Sequence, residues 1–135
     1  MSSLTKVSIV IPTYNGARYI HESIHSCINQ TYENIQLIVV DDGSEDETPE
    51  IVKSCKDSRL QYFRHLDNVG IPTALNTGFA NAVGQYLTWT SDDNYYAQDA
   101  IKRMVSVLEN NKCQFVYADY YRFSDENHSE CRIMR

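Results

Sequence analysis

The chain has 135 residues, is 42% hydrophobic and carries a formal net charge of −6. That suits one compact domain with a single core and excludes broad electrostatic attraction to nucleic acid or anionic lipid. The four cysteines, Cys27, Cys55, Cys113 and Cys131, include no CxxC pair, so a tight zinc knuckle is excluded and reduced thiols in a cytoplasmic protein are expected. Residues 1–6 are polar and no run reaches the ~20 apolar residues of a membrane span, so neither a secretory leader nor a transmembrane segment is expected.

In chain order, Val7-Ser8-Ile9-Val10-Ile11 reads as a buried strand, followed by the turn residues Pro12 to Gly16. A helix follows from about Arg18 to Asn29, with Ile20, Ile24 and Ile28 on its inward face. A second apolar strand, Ile35 to Val40, runs into Asp41-Asp42-Gly43-Ser44. Thr48 as N-cap and Pro49 in the first turn open a short helix ending near Lys56. Leu60 to Arg64 alternates as a third strand. Ile71 or Pro72 opens a helix through Ala82, with Gly84 expected as its C-cap. A fourth strand, Tyr86 to Thr90, meets Asp92-Asp93; a helix covers about Gln98 to Asn110; Gln114 to Ala118 is expected as a fifth strand. The order implies an α/β fold, a doubly wound, mostly parallel Rossmann-like sheet with helices on both faces. Residues 121–135 read as a polar tail.

Two apolar strands that end in acidic pairs place one acidic crevice at one edge of the sheet, where α/β folds bind ligands. Adjacent like charges at Asp92-Asp93 are costly unless a cation or hydrogen-bond donors compensate. Hard cations such as Mn2+ or Mg2+ accept such carboxylates together with substrate phosphate; capping of a loop or of the next helix is the competing use. Asp41-Asp42-Gly43-Ser44 combines a glycine able to take positive φ with carboxylates that can accept a base N–H, and a solvated turn is equally compatible. Ser44 or Asp46 can bond free backbone amides, and Tyr14 can stack on a base. No GxGxxG or GxxxxGK[ST] run is present, so phosphate binding by a glycine loop is not expected.

His21-Glu22-Ser23-Ile24-His25 matches HExxH. Its helix belongs to a βαβ crossover whose inward face is taken by isoleucines, so a solvated histidine pair is the expected reading rather than zinc.

In Val7 to Gly16, Val39 to Ser44 with Asp46 and Thr48, Asn68-x-Gly70-x-x-x-Ala74-x-Asn76-x-Gly78, and Ala82-x-Gly84-x-Tyr86-Leu87 through Ser91-Asp92-Asp93, the sequence resembles the inverting family 2 glycosyltransferases of the GT-A fold. The resemblance spans about residues 6–120 and implies that residues 1–120 form a nucleotide-sugar-binding donor domain, a truncated GT-A sheet. It implies that Pro12, Thr13 and Tyr14 line the nucleobase pocket, that Asp42 accepts a uracil N–H and that Asp41 supports that loop. It further implies that Asp92 contacts the ribose, and that Asp92 and Asp93 hold Mn2+ or Mg2+ on the donor diphosphate. The expected donor is a UDP-sugar, with a saccharide or lipid-linked acceptor in a longer parent. Departures are Thr90 at the first acidic position of the usual DxD pattern, Leu75 where an Arg is common, and Gln98 where a Pro is common.

An inverting transferase needs a general base for the acceptor hydroxyl. The resemblance places that base beyond Arg135, so no catalytic residue is assigned within this chain. Two other readings compete. A phosphoacceptor receiver domain would need its acidic pair after the first strand and a Lys after the fifth, neither of which is present. A non-catalytic module would keep the nucleotide site or only the fold and act by self-association; apolar surface left uncovered by a missing acceptor half would make it a homodimer. The expected location is cytoplasmic, peripheral to the membrane in a longer parent.

Overall fold

A computed structural model describes residues 4–124 and 127–134 of the chain. The elements are β1 (Val7–Thr13), α1 (Ile20–Ile28), β2 (Ile35–Asp41), α2 (Thr48–Ser54), β3 (Leu60–Arg64), α3 (Ile71–Ala80), β4 (Tyr86–Trp89), α4 (Ala100–Asn111), β5 (Tyr120–Ser124) and β6 (Asn127–Met134). The chain forms two compact units, one running to Ile101 and the other from Lys102 onward.

The first unit is built on a four-stranded sheet in the order β3-β2-β1-β4, parallel at every pairing. β1 and β2 are buried at all positions, as the near-continuous β-branched runs require of strands covered on both faces. Alternation divides their side chains. Val10, Ile38 and Val40 form one cluster with Ala74 of α3, joined by Phe63, Leu75 and Phe79. Ile9, Ile11, Leu37 and Val39, all fully buried, point to the other face, where α1 and α2 pack on each other and on β2.

Handedness explains this arrangement. From β1 to β2 to β3 the chain steps in one direction, so right-handed crossovers put α1 and α2 on one face. From β3 it returns across the sheet to β4, and the same hand puts α3 on the opposite face. The doubly wound α/β sheet read from the sequence is therefore the observed one.

Burial of a large aliphatic side chain contributes roughly 1.5–3 kcal/mol. In α1 the buried stripe runs Ile20, Ile24, Cys27, the 3.6-residue spacing; Ile28, expected inward, is only half-buried. Burial pushes the Cys27 thiol up to about 12, which leaves it unreactive at neutral pH. Gly78 lets α3 lie on β1, because a Cβ there would meet Val10 Cγ1 at 2.3 Å.

Away from the carboxyl edge, β1, β2 and the segment before β4 share a polar network. Ser8 Oγ donates to Gln36 Oε1 (2.6 Å), the amide of Val83 donates to the same oxygen (2.9 Å), and the amide of Gly84 donates to Ser8 Oγ (2.8 Å). This corrects the expected role of Gly84. α3 ends earlier, with Asn81 as its C-cap, and Gly84 is not at positive φ. Its missing Cβ instead admits the backbone of Ser8, which would lie at 2.6 Å.

The second unit contains most of α4 and an antiparallel pair in which Tyr120 faces Met134, Tyr121 faces Ile133 and Arg122 faces Arg132. One expectation fails here. Gln114 to Ala118 is not a strand, and Phe115 and Tyr117 are exposed; an apolar run becomes a strand only where a partner completes its ladder. Residues 121–124 and 127–134, within the stretch read as a polar tail, lie in paired strands. Among the described residues, no helix is long and apolar enough to cross a membrane.

Gly84→Ala is expected to destabilise the chain by about 2 kcal/mol through overpacking against a fully buried backbone that cannot yield, read as a lowered urea midpoint. An unchanged midpoint would show that the turn re-forms freely.

Candidate active site

Parallel pairing sends the ends of β1, β2, β3 and β4 to one edge. Thr13 lies beside Asp41 and Asp41 beside Arg64. The Asp42 amide donates to Thr13 O (2.8 Å) and the Thr90 amide to Val10 O (3.0 Å). The strand order reverses direction at β1, which leads to β2 on one side and has β4 on the other. Beyond that point opens a cleft of ≈ 460 Å³, lined by Pro12, Thr13, Tyr14, Asp42, Asn68, Gly70, Ile71, Ala74, Trp89, Ser91, Asp92 and Asp93. A crevice at such a reversal is the usual ligand site of open α/β sheets.

The β1–α1 turn is built for close approach. Gly16 lies so near the far wall that a Cβ would meet Asp92 Oδ2 at 2.3 Å and Thr13 Oγ1 at 2.5 Å. Thr13 Oγ1 donates to Asp92 Oδ2 at 2.6 Å. Asn15 takes a left-handed φ of 51°, held by its own amide on Ser44 Oγ (2.9 Å) and by the Glu45 amide on its Oδ1 (2.8 Å). Asp46 accepts from the amides of Ala17 (3.1 Å) and Thr48 (3.0 Å). Ser44 and Asp46 thus serve the backbone amides as expected, and Thr48, expected as N-cap, is instead the first residue of α2.

The acidic residues differ in their surroundings. Asp41 is fully buried and does not line the cleft; its carboxylate accepts from the Ser44 amide (2.8 Å) and the Tyr62 hydroxyl (2.6 Å). Burial, then the bond to Asp41, push the Tyr62 phenol up to about 12. Asp42, also buried, meets His65 Nδ1 at 2.7 Å, the Gly70 amide at 2.7 Å and the Val69 amide at 3.1 Å. Burial raises its carboxyl, but those donors outweigh it and hold the group below its ordinary 3.8. Asp92 is raised, by burial first and then by the charge of Asp93, against the Thr13 hydroxyl and the Tyr14 amide. Asp93 is exposed.

The remaining candidates sort plainly. Tyr14 is 45% exposed on the cleft wall, so its ring is open to a ligand. Thr90 is buried and bonded to β1 and does not line the cleft, while Leu75 packs into the α3 core cluster. His21 and His25 lie on the exposed side of α1 with ring centroids 4.2 Å apart. Among the described residues no group of three or more His, Cys, Asp or Glu is placed to hold a metal. Asp92 and Asp93 nevertheless fit a hard dication, because two adjacent carboxylates on an open cleft, one of them exposed and the other raised by burial and then by its neighbour, leave room for phosphate and water ligands. Sequence reasoning assigned no roles to Asn68, Gly70, Ile71, Ala74, Trp89 and Ser91 of the lining. It also missed His65, whose only sequence signal is its place directly after a strand that ends at the acidic edge.

The family model for "Glycosyl transferase family 2" matches residues 8–133. The chain belongs to glycosyltransferase family 2. It is 42% identical over 125 residues to an uncharacterised glycosyltransferase of Rickettsia prowazekii, covering 91% of this chain and 39% of that protein. It is 34% identical over 115 residues to the Escherichia coli UDP-Glc:alpha-D-GlcNAc-diphosphoundecaprenol beta-1,3-glucosyltransferase WfaP, covering 85% and 46%. Among solved structures, Staphylococcus aureus TarS 1-349 in complex with UDP superposes with TM-score 0.75 at 27% identity, over 79% of this chain and 33% of that one. The mannosyltransferase PcManGT of Pyrobaculum calidifontis, in complex with GDP-Man and Mn2+, gives TM-score 0.73 at 29% identity, again over 79% and 33%. The family 2 chain described here thus spans less than half the length of these relatives.

Asp42 generates a pH prediction. Its folded pKa lies below 3.8, so its stabilisation is complete above that value and is lost as pH falls through the lower folded value. Asp42→Asn is expected to cost about 1–3 kcal/mol at pH 7, since charge-assisted hydrogen bonds are lost. The gap to wild type should narrow once pH falls below 3.8, read by urea denaturation across pH. A gap that stays constant into acid would contradict the assignment.

Proposed function

We propose that this chain is the donor-binding part of an inverting glycosyltransferase that takes a nucleoside-diphosphate sugar, UDP-linked, and passes the sugar to an acceptor hydroxyl. The carrying observation is the cleft that sets a buried, hydrogen-bonded Asp42 opposite the Asp92-Asp93 pair. Asp42, kept ionised, is an acceptor only, so it suits a base edge that presents an N–H. Tyr14 supplies a face for the base, and Pro12 and Thr13 supply the wall behind it. Asp92, fixed by Thr13, is positioned for the ribose, and Asp92 and Asp93 together would hold Mn2+ or Mg2+. Such a cation, when bound, neutralises charge on the departing diphosphate. The acceptor hydroxyl attacks the anomeric carbon as the bond to the diphosphate breaks. The base that removes its proton is assigned to no residue of this chain. The acceptor is a saccharide or a lipid-linked saccharide met by a longer protein on the cytoplasmic side.

A second reading, a non-catalytic module that associates as a homodimer, draws on one feature. β4 is an edge strand of its sheet, with Leu87 54% and the nearby Val83 71% exposed, and uncovered edges favour pairing with another chain. A monomer mass at high concentration in sedimentation would count against it.

Titration calorimetry with UDP, with and without Mn2+, tests the first reading beside an Asp92→Ala, Asp93→Ala double variant. The expected result is Mn2+-dependent binding that the variant weakens by at least about tenfold, a loss of 1.4 kcal/mol or more. Equal UDP binding in a chelator and in the variant would overturn the placement of the cation.

A further inference from the structure

His65 does not line the cleft, yet it joins the cleft to α3. Its Nδ1 meets Asp42 Oδ1 at 2.7 Å and its Nε2 meets Thr77 Oγ1 at 2.9 Å. Because Asp42 is an ionised acceptor, Nδ1 carries the proton and donates. In the neutral ring Nε2 is then the acceptor, and the Thr77 hydroxyl donates to it. The ring is half-buried with the carboxylate beneath it, at side-chain exposures of 19% and 5%.

A carboxylate offers about four acceptor directions. Here the chain itself occupies most of them. His65 takes Oδ1, the Gly70 amide takes Oδ2 at 2.7 Å, and the Val69 amide bridges both at 3.2 and 3.1 Å. With the Val69 amide shared between the two oxygens, three donors meet about four directions, and about one remains for a ligand in the cleft. Removing the imidazole takes away the one short bond to Oδ1 and leaves that oxygen only the longer, shared contact from the Val69 amide, so the carboxylate can tilt while the amides of Val69 and Gly70 stay in place.

We propose that His65, oriented by Thr77, is a positioning residue that sets which nucleobase the cleft accepts. It does so by fixing the one outward acceptor direction of Asp42. This rests on the reading of Asp42 as the base-contacting group. A uracil edge presents N3–H to that direction. A cytosine edge of the same shape presents a lone pair at N3 and is repelled. The preference for UDP over CDP therefore measures how well Asp42 is aimed. Affinity for inorganic pyrophosphate with Mn2+ measures the Asp92-Asp93 side alone.

The test is calorimetric titration of wild type, His65→Phe and Thr77→Val with UDP, CDP and Mn2+-pyrophosphate. Wild type is expected to favour UDP over CDP by about tenfold or more, the value of a charge-assisted hydrogen bond. His65→Phe should bring that ratio towards one while leaving pyrophosphate affinity unchanged, with Thr77→Val between the two. Equal weakening of all three ligands, or a wild-type ratio kept in His65→Phe, would overturn the proposal and leave the donor site standing. A wild type that does not distinguish UDP from CDP would instead defeat the reading of Asp42 itself. Should His65→Phe fail to fold, Thr77→Val and the imidazole 15N spectrum of the wild type decide. A proton on Nδ1 supports the proposal, and a neutral ring protonated at Nε2 overturns it.

Discussion

β1 is hydrogen-bonded along both edges, to β2 and to β4, and buried along its whole length. The positions of the other strands of its sheet follow from that double pairing. Because both pairings are parallel, the residues after each strand emerge at one edge, and the register sets them side by side to within one residue. The Asp42 amide bonds Thr13 O, and Thr13 Oγ1 reaches the Asp92 carboxylate. The two walls of the cleft are thus tied through a single residue at the end of the central strand. Gly16 has no alternative under that constraint, since a side chain would occupy the space of the bond itself.

The two ends of the sheet solve different polar problems. At the amino end, Gln36 is buried in the middle of apolar strands, and its amide bonds Gln61 and the carbonyl of Asn81 while its oxygen accepts from Ser8 and Val83. Every polar atom there finds a partner within the fold, and among the described residues no buried side-chain nitrogen or oxygen lacks one. At the carboxyl end the carboxylates are only partly supplied with donors, which is what a ligand site requires. One end is closed by the fold and the other opens into the cleft.

The layout was legible where the physics is local. Runs of Val and Ile gave the central strands, and the alternation of strands with helices gave the doubly wound sheet. Acidic pairs after β2 and β4 gave the edge at which the cleft opens. What the sequence hid depends on distant partners. Gln114 to Ala118 has a strand's pattern but no ladder to join. Gly84 looks like a helix terminator and is instead a point of close approach to Ser8. His65 follows an alternating strand like any loop residue, and only the fold shows that its ring lies between Asp42 and Thr77. Asp41 and Asp42 are neighbours in sequence, yet strand alternation turns the first into the interior and the second towards the cleft.

That separation lets chemically identical groups divide their labour. Asp41 is spent on Ser44 and Tyr62 and acts as scaffold. Asp42 is held below its ordinary value by three N–H donors and has no need of a cation; a metal there would compete with donors already in place. Asp92 has the Thr13 hydroxyl and the amides of Tyr14 and of Asp92 itself against burial and the adjacent charge of Asp93, and its carboxyl is raised all the same. The adjacent negative charges of the cleft therefore lie at the β4 end, at Asp92 and Asp93. Burial raises the carboxyl of both Asp42 and Asp92. The donors supplied by the β3–α3 loop hold Asp42 as an ionised hydrogen-bond acceptor, while Asp92, beside Asp93, keeps a raised carboxyl.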